Sequence, residues 1–383
     1  MAGTAAARAR VNAARLSFAT ATPADDPDII ALLEETTFPG DVKVSMERRP
    51  SPLAAGVIEG EHEFIVARHG AQGPLAGFAA RSTRDLHVNG RVARVGYLGQ
   101  LRIARSTRQL RTLMDEGFAF CRKLHDRRGD TSCYLTSIVA DNDAARRLLV
   151  NRRSSEAPRF VALATLRTFA IPVRRPRPVD PVAGIRLETG CAALLGEIAG
   201  CLDRNLSRYQ FAPRWTPDDL RSARTRALEP EDFLVALRGD RVVGCVARWD
   251  QQSFRQVVVR GYSPRLARWR PIVNLAARCV DVPSLPPIGD PLRFAFLSHI
   301  AVDDDRTDIM AALVSGQCRR AKAAGLSYVM TAFVERHPFH DAIARGFRYR
   351  QYDSALYLTF WPDGEPFVRE LDDRIPQPEV AVL

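Results

Sequence analysis

The chain has 383 residues, 46% of them hydrophobic, with 24 Gly and 25 Pro, long enough for two ordinary domains with buried cores. No uninterrupted apolar run reaches the ~18 residues of a membrane-spanning helix, and no Cys-x-x-Cys pair is present, which argues against a zinc site. The formal net charge is +11, yet lysine stands only at Lys43, Lys123 and Lys322, so the arginine excess reads either as a GC-rich coding bias or as attraction to an anionic ligand.

The opening stretch "MAGTAAARARVNAARLSF" is rich in Ala and Arg, lacks the apolar core of a secretory signal, and reads as a short frayed tail. Seven scattered cysteines, an odd number set mostly in apolar surroundings, favour reduced thiols and a cytoplasmic protein. A first helix and loop follow, "DDPDIIALLEETTFPGDVKVSMERRPSPL". Next comes a strand, glycine turn and strand, "FIVARHGAQGPLAGFAARSTRD", which can be laid over "FLVALRGDRVVGCVARWDQQ" downstream with Gly77 matching Gly244. After the first hairpin the chain reads "RVGYLGQLRIARSTRQLRTLM", an apolar strand through Val95, Tyr97, Leu98, Leu101 and Ile103 that breaks into Arg102, Arg105, Arg108 and Arg111. The helix "LRTLMDEGFAFCRKLHD", the strand "SCYLTSIVA", the short helix "DNDAARRLLVN" and the strand "RFVALATLRTFAI" complete the first unit.

A connector, "IPVRRPRPVDPVAG", is too rich in proline for helix or central strand. The second unit repeats the order with "LRFAFLSHIAV", "DIMAALVSGQCRRAKAAG", "SYVMTAFV", "HPFHDAIARG" and "DSALYLTFW". It also carries an insertion with a predicted helix from Leu266 to Val280 and a Pro-rich loop, suited to a lid or an interdomain brace. "ERHPFH" is a poor metal signature, and a helix-entry role is expected for its histidines; His299 is also read as structural. Neither a serine-nucleophile motif nor a dinucleotide glycine loop is present, and no nucleic-acid motif appears.

The order of elements, and above all "VNGRVARVGYLGQLRIA…YLTSIVADNDAARRLL", resembles the GNAT superfamily of acyl-CoA-dependent N-acyltransferases over nearly all of both halves. In that family an apolar strand enters a turn of the form Val-x-Pro-x-x-Arg-x-x-Gly-x-Gly and then a helix; here these are Leu101 to Leu113. Main-chain N–H groups at a helix N-terminus lack intrahelical partners and lie at the positive end of the macrodipole, so such a turn suits a pyrophosphate. The free strand edge upstream can pair with the amides of pantetheine as an added strand would.

The resemblance implies an α/β fold of the α+β type: two tandem GNAT-like domains, residues 1–174 and 184–383, joined by a linker at 175–183, with an insertion around 262–292. Each domain would be a mixed, mostly antiparallel sheet flanked by helices, the pair forming a monomeric pseudo-dimer or a homodimer. It implies transfer of an acyl group, acetyl above all, from acyl-CoA to a primary amine of a small molecule or peptide, without metal, membrane or nucleic acid. Acetyl-CoA would be held in the first copy by Gln100, Leu101, Arg102, Ile103, Arg105, Thr107, Arg108, Gln109, Leu110, Arg111 and Asn142.

Arg105 stands where the family often has Pro, Arg108 matches its Arg, and Arg111 and Leu113 replace its two glycines. The tyrosine that the family uses as an acid is Leu149 in the first copy and Ala342 in the second, which leaves Tyr97 or Tyr134 as substitutes and Asp141 as a base. In the second copy Asp303, Asp304, Asp305 and Asp308 occupy the phosphate turn and should repel a nucleotide. Glu34, Glu35, Asp41 and Glu47 either attract a cationic amine or form a polar face. The alternatives are a catalytically degenerate CoA- or anion-binding scaffold and, using the positive charge, aminoacyl transfer from charged tRNA.

Overall fold

The computed structural model describes residues 15–152, 154–176, 178–277 and 284–383. Of the predicted N-terminal tail, residues 1–14 lie outside the described residues and residues 16–18 belong to a strand rather than a frayed end; residues 278–280 of the predicted insertion helix also lie outside the described residues.

The first copy runs β1 (Leu16–Thr20), α1 (Asp26–Glu35), β2 (Thr37–Phe38), β3 (Val42–Glu47), α2 (Pro52–Ala55), β4 (Glu61–His69), β5 (Leu75–Val88), β6 (Arg91–Ile103), α3 (Leu110–Arg128), β7 (Tyr134–Val139), α4 (Asp143–Leu149) and β8 (Arg159–Pro172). The second runs β9 (Arg186–Thr189), α5 (Leu195–Leu206), β10 (Ala212–Pro213), β11 (Phe233–Arg238), β12 (Arg241–Trp249), β13 (Gln256–Tyr262), α6 (Pro264–Ala276), β14 (Phe294–Val302), α7 (Thr307–Ala323), β15 (Tyr328–Val334), α8 (Pro338–Gly346), β16 (Arg350–Phe360) and α9 (Glu365–Arg369). The repeat read from the hairpins therefore extends to β6/β14, α3/α7, β7/β15, α4/α8 and β8/β16.

Local chemistry accounts for the long helices. In α3 the buried residues Leu113, Met114, Phe118, Cys121, Leu124 and His125 fall on one face, and Gly129 ends the helix at φ 56°. In α7 Ile309, Met310, Leu313, Val314, Gln317 and Cys318 do the same. Each helix packs on a glycine of the preceding hairpin. A Cβ on Gly77 would stand 3.4 Å from Leu113 Cδ2, and one on Gly244 would stand 3.2 Å from Ile309.

The main sheet has 13 strands, ordered β1-β4-β5-β6-β7-β16-β8-β15-β14-β12-β11-β9, with β10 paired to β5. All its pairs are antiparallel except β6–β7 and β14–β15. The last strands of the two copies are exchanged. β16 lies between β7 and β8, and β8 lies between β16 and β15. The cores follow: Leu356, Leu358 and Phe360 of β16 pack with Leu86, Val95 and Leu135 of the first copy, while Phe169, Ile171 and Val173 pack in the core of the second.

A second, 3-stranded sheet, β13-β3-β2, joins the copies again, with Gln256 opposite Glu47 and Tyr262 opposite Val42. Residues 42–47, read from sequence as a loop, are thus a strand that pairs locally with β2 and, on its other edge, with β13 more than 200 residues away, as signalled by the alternation Val42, Val44, Met46. No helix of the described residues is long and apolar enough to cross a membrane.

Candidate functional site between the diverging strands

β6 and β7 run parallel and pair only where Gly96 and Tyr97 meet Tyr134 and Leu135. Beyond that point they part. The cause lies in β6: Gly99 pairs with Ala80 and Arg102 with Phe78, so Gln100 and Leu101 together oppose Ala79, and Gln100 takes φ 57°. Such a bulge bends the strand and turns its polar groups out of the ladder. β7 meanwhile follows β16, from Tyr134–Thr359 to Val139–Ser354.

Tyr97 reaches across this gap, its hydroxyl 2.8 Å from Ser137 Oγ. Burial pushes the Tyr97 phenol above its ordinary value, so the group is neutral and can donate a proton. Tyr134 belongs to the other face. A Cβ on Gly96 would stand 2.1 Å from the Tyr134 ring, so Tyr134 shares the face of Gly96, and Tyr97 has the opposite one. The Tyr134 hydroxyl accepts from Arg81 Nε at 2.9 Å and meets His125 Nδ1 at 2.9 Å, within an ion-pair network that adds Glu63 and Asp130. The structure therefore does not bring Tyr97 and Tyr134 together. Asp141 is exposed in the turn after β7, where its carbonyl accepts from Asp143 N, and Asn142 caps α4 by accepting from Ala145 N at 3.0 Å.

The basic turn is pinned at its base. Ala104 N and Thr107 Oγ1 both donate to Ala76 O at 3.0 Å, and Thr107 is buried. Arg105, Arg108, Leu110 and Arg111 are exposed, and Gln109 occupies the cap position of α3. The first intrahelical bond runs from Leu113 N to Gln109 O, so the N–H groups of Leu110, Arg111 and Thr112 lead the helix. Leu113 is 4% exposed and packs with Leu16, Ala67 and Ala76. The side chain in place of the family's second glycine thus points into the core, leaving Arg111 as the substitution that faces solvent.

The second gap has the same frame. β14 pairs with β15 only from Phe294–Tyr328 to Phe296–Met330, and its bulge sits at His299, with φ 50°. Here the chain's own segment from Gln377 to Val380 enters, bounding with Leu297, Ile300, Thr331 and Phe333 a cavity of ≈ 20 Å³, room for about one water. Glu379 accepts from the bulge amide His299 N at 2.8 Å and from Ala381 N at 3.3 Å, while burial pushes its carboxyl up to about 6. The His299 ring packs 4.2 Å from that of Trp215, and burial holds it down at about 3.

The acidic turn is neutralised from within. Arg204 Nε donates to Asp303 at 2.8 Å, Arg208 and the Tyr209 hydroxyl bond Asp305 at 2.7 Å, and Arg306 pairs with Asp308. His337 caps α8, its Nδ1 accepting from Phe339 N. Three of the acids near α1 are also engaged: Glu47 and Glu34 pair with Arg49 and Arg260, and Asp41 accepts from Ser263 Oγ at 2.9 Å.

No family model matches the sequence, and no curated protein does. Solved structures match over nearly the whole chain. A GCN5-related glucosamine N-acetyltransferase region of a fungal multi-domain GH3 beta-N-acetylglucosaminidase is similar at TM-score 0.61 and 14% identity, over 91% of this chain and 38% of that one. A tandem GNAT protein from the clavulanic acid biosynthesis pathway gives 0.54 at 13% identity, over 90% and 98% of the two chains. Saccharomyces cerevisiae N-myristoyltransferase, solved with myristoyl-CoA, gives 0.57 at 11% identity, over 91% and 79%. With two copies of one unit, each opened by a bulge beside a parallel strand, the chain has the fold of a tandem GCN5-related N-acetyltransferase.

Proposed function

We propose that the chain is an acyl-CoA-dependent N-acyltransferase, with acetyl-CoA as its donor, whose working site is the gap of the first copy. The observation that carries this assignment is the contrast between two gaps of one design: the chain's own Glu379 takes the bulge amide of the second, and the first ends in an exposed basic turn. Arg105, Arg108 and Arg111, with the leading amides of α3, would hold the pyrophosphate, and the edge of β6 from Gln100 to Ile103 would pair with pantetheine. Gln100 shares the bulge position and positive φ of His299, and its N–H would donate to the thioester carbonyl as that of His299 donates to Glu379.

In the transfer, the lone pair of a neutral amine attacks the thioester carbonyl carbon. The C–N bond forms, the C–S bond breaks, and the thiolate takes the Tyr97 proton while the amine proton passes to Asp141 or water. Tyr134 is left out, because Arg81 and His125 engage its hydroxyl on the other face. Buried free thiols at Cys121, Cys133, Cys201, Cys245 and Cys318 suit the reducing cytoplasm.

Arg111, exposed where the family has glycine, favours a second reading: a protein that binds CoA without turnover. Thermal unfolding with and without acetyl-CoA tests the site, since a ligand bound at 100 times its Kd adds about 2.7 kcal/mol to stability. A rise in Tm is expected, and Arg108→Ala should remove most of it. Release of free CoA thiol with a panel of amines then separates the two readings. No rise with any acyl-CoA would overturn both.

A further inference from the structure

On the face of β6 that carries Tyr97, three arginines gather where the two copies meet. Arg48 is 3% exposed and lies over the Phe64 ring, Arg102 lies over the Phe38 ring at 5.1 Å, and Arg255 comes from the second copy beside β13. Arg102 belongs to this face because its neighbour Ile103 packs the other way, with Leu16, Ala76 and Leu113. Arg48 lies within electrostatic reach of Arg102 and Arg255, and Tyr97 within reach of Arg102, Arg255 and Glu59.

Their charges do not balance. Glu59 pairs with Arg48 through Nη2, and Arg255 donates to Gln251 Oε1, Ala381 O and Leu383 O. Arg102 Nη1 bonds its neighbouring carbonyl, Leu101 O. Arg48 Nη1 and Arg102 Nε are buried without any hydrogen-bond partner. A buried donor left unpaired costs about 1–3 kcal/mol, more for a charged group, so two of them beside the reacting strand call for a ligand that accepts. Burial holds both Arg102 and Arg255 down at about 10, which an arriving negative charge would reverse. The carboxylates that might have drawn a cation, Glu34 and Glu47, are already spent on Arg49 and Arg260.

We propose that the acceptor is an amine carrying its own anionic group, a carboxylate or a phosphate, held by Arg48 Nη1 and Arg102 Nε while the amine faces the gap beside Tyr97. This rests on the acyltransferase reading. It names the substrate class for that site, with the side chain of Arg102 serving the acceptor and its main chain the acyl donor.

The test uses matched amines: phosphoethanolamine against ethanolamine, and β-alanine against propylamine, with acetyl-CoA and the full chain. The anionic member of at least one pair should have the higher kcat/KM, by about tenfold to a hundredfold, and the ratio should collapse in Arg102→Gln. Which pair discriminates tells phosphate from carboxylate. Equal kcat/KM within both pairs overturns the inference and leaves acyl transfer standing.

A second readout does not need turnover. Inorganic phosphate or propionate, without acetyl-CoA, should raise Tm in the wild type and not in Arg102→Gln. A rise in a protein that acylates no amine supports the anion site while the acyltransferase reading fails. If there is neither a rise in Tm nor discrimination within the pairs, the anion site is overturned. Should Arg102→Gln fail to fold, as judged by circular dichroism, the wild-type ratios alone decide.

Discussion

Burial and hydrogen bonding pull Glu379 in opposite directions. Two backbone N–H groups favour its ionised form, burial opposes it more strongly, and the result is a carboxyl raised from 4.5 to about 6. A raised carboxyl binds its proton more readily in the folded state, so its contribution to stability is greatest below pH 4.5. It declines as pH rises to about 6 and is flat above. The difference corresponds to about 2 kcal/mol. Glu379→Gln keeps an oxygen for His299 N and removes the titration. Its Tm relative to wild type should therefore climb by a few °C between pH 4.5 and 7 and stay constant beyond. A constant difference across that range would mean that the carboxyl titrates normally. The lowered carboxyls, such as Asp25 and Asp303, act in the other direction near pH 4 and cancel in this comparison. Single residues were unevenly legible in the sequence. The exposed Arg105, Arg108 and Arg111 stand where their spacing put them, but Tyr97 and Tyr134 sit on opposite faces, because the register of β6 against β7 decides which residues align. Arg48 carries no sequence signal at all; only its burial without a full set of partners marks it.

Among elements, the parallel pair β6–β7 is held together where a glycine on one strand accepts an aromatic ring from the other. Gly96 has no room for a side chain: a Cβ there would stand 2.1 Å from Cδ1 of Tyr134, which is fully buried. Gly96→Ala must push the ring off Arg81 and His125 or drive the strands apart at their single point of pairing. We expect a loss of about 3 kcal/mol, read as a lower denaturant midpoint with unchanged m. A loss under about 0.5 kcal/mol, in the range of ordinary surface changes, would show that the gap yields freely. Strands, helices and their repetition were readable because each copy alternates with the period of its own element. The partners of those strands were not. Period two says that Val42–Glu47 is extended, not that it pairs with Gln256–Tyr262, and nothing local in "QPEV" announces a segment that fills the second gap.

Over the whole molecule, exchange of the last strands makes two sequence repeats into one folding unit. The first copy alone would have to close its sheet without β16, exposing the inner edges of β7 and β8, and the core around Leu86 and Val95 would lose Leu356, Leu358 and Phe360. The second alone would lose Phe169, Ile171 and Val173. Truncating a large buried aromatic side chain to Ala already costs about 3–5 kcal/mol, and a domain is stable by only about 5–15 kcal/mol, so neither half should reach a packed native state. Calorimetry of the full chain should show one transition, with calorimetric and van't Hoff enthalpies equal. Residues 15–176 and 178–383, expressed separately, should each give poorly dispersed NMR spectra and recover native dispersion when mixed, because β8 and β16 then find their places. Two resolved transitions, or a well-dispersed spectrum from either half alone, would mean that the exchange of β8 and β16 is not what holds the halves together. Cooperativity of this kind also ties the two copies together: the last strand of the second completes the sheet on which the first copy's gap is built.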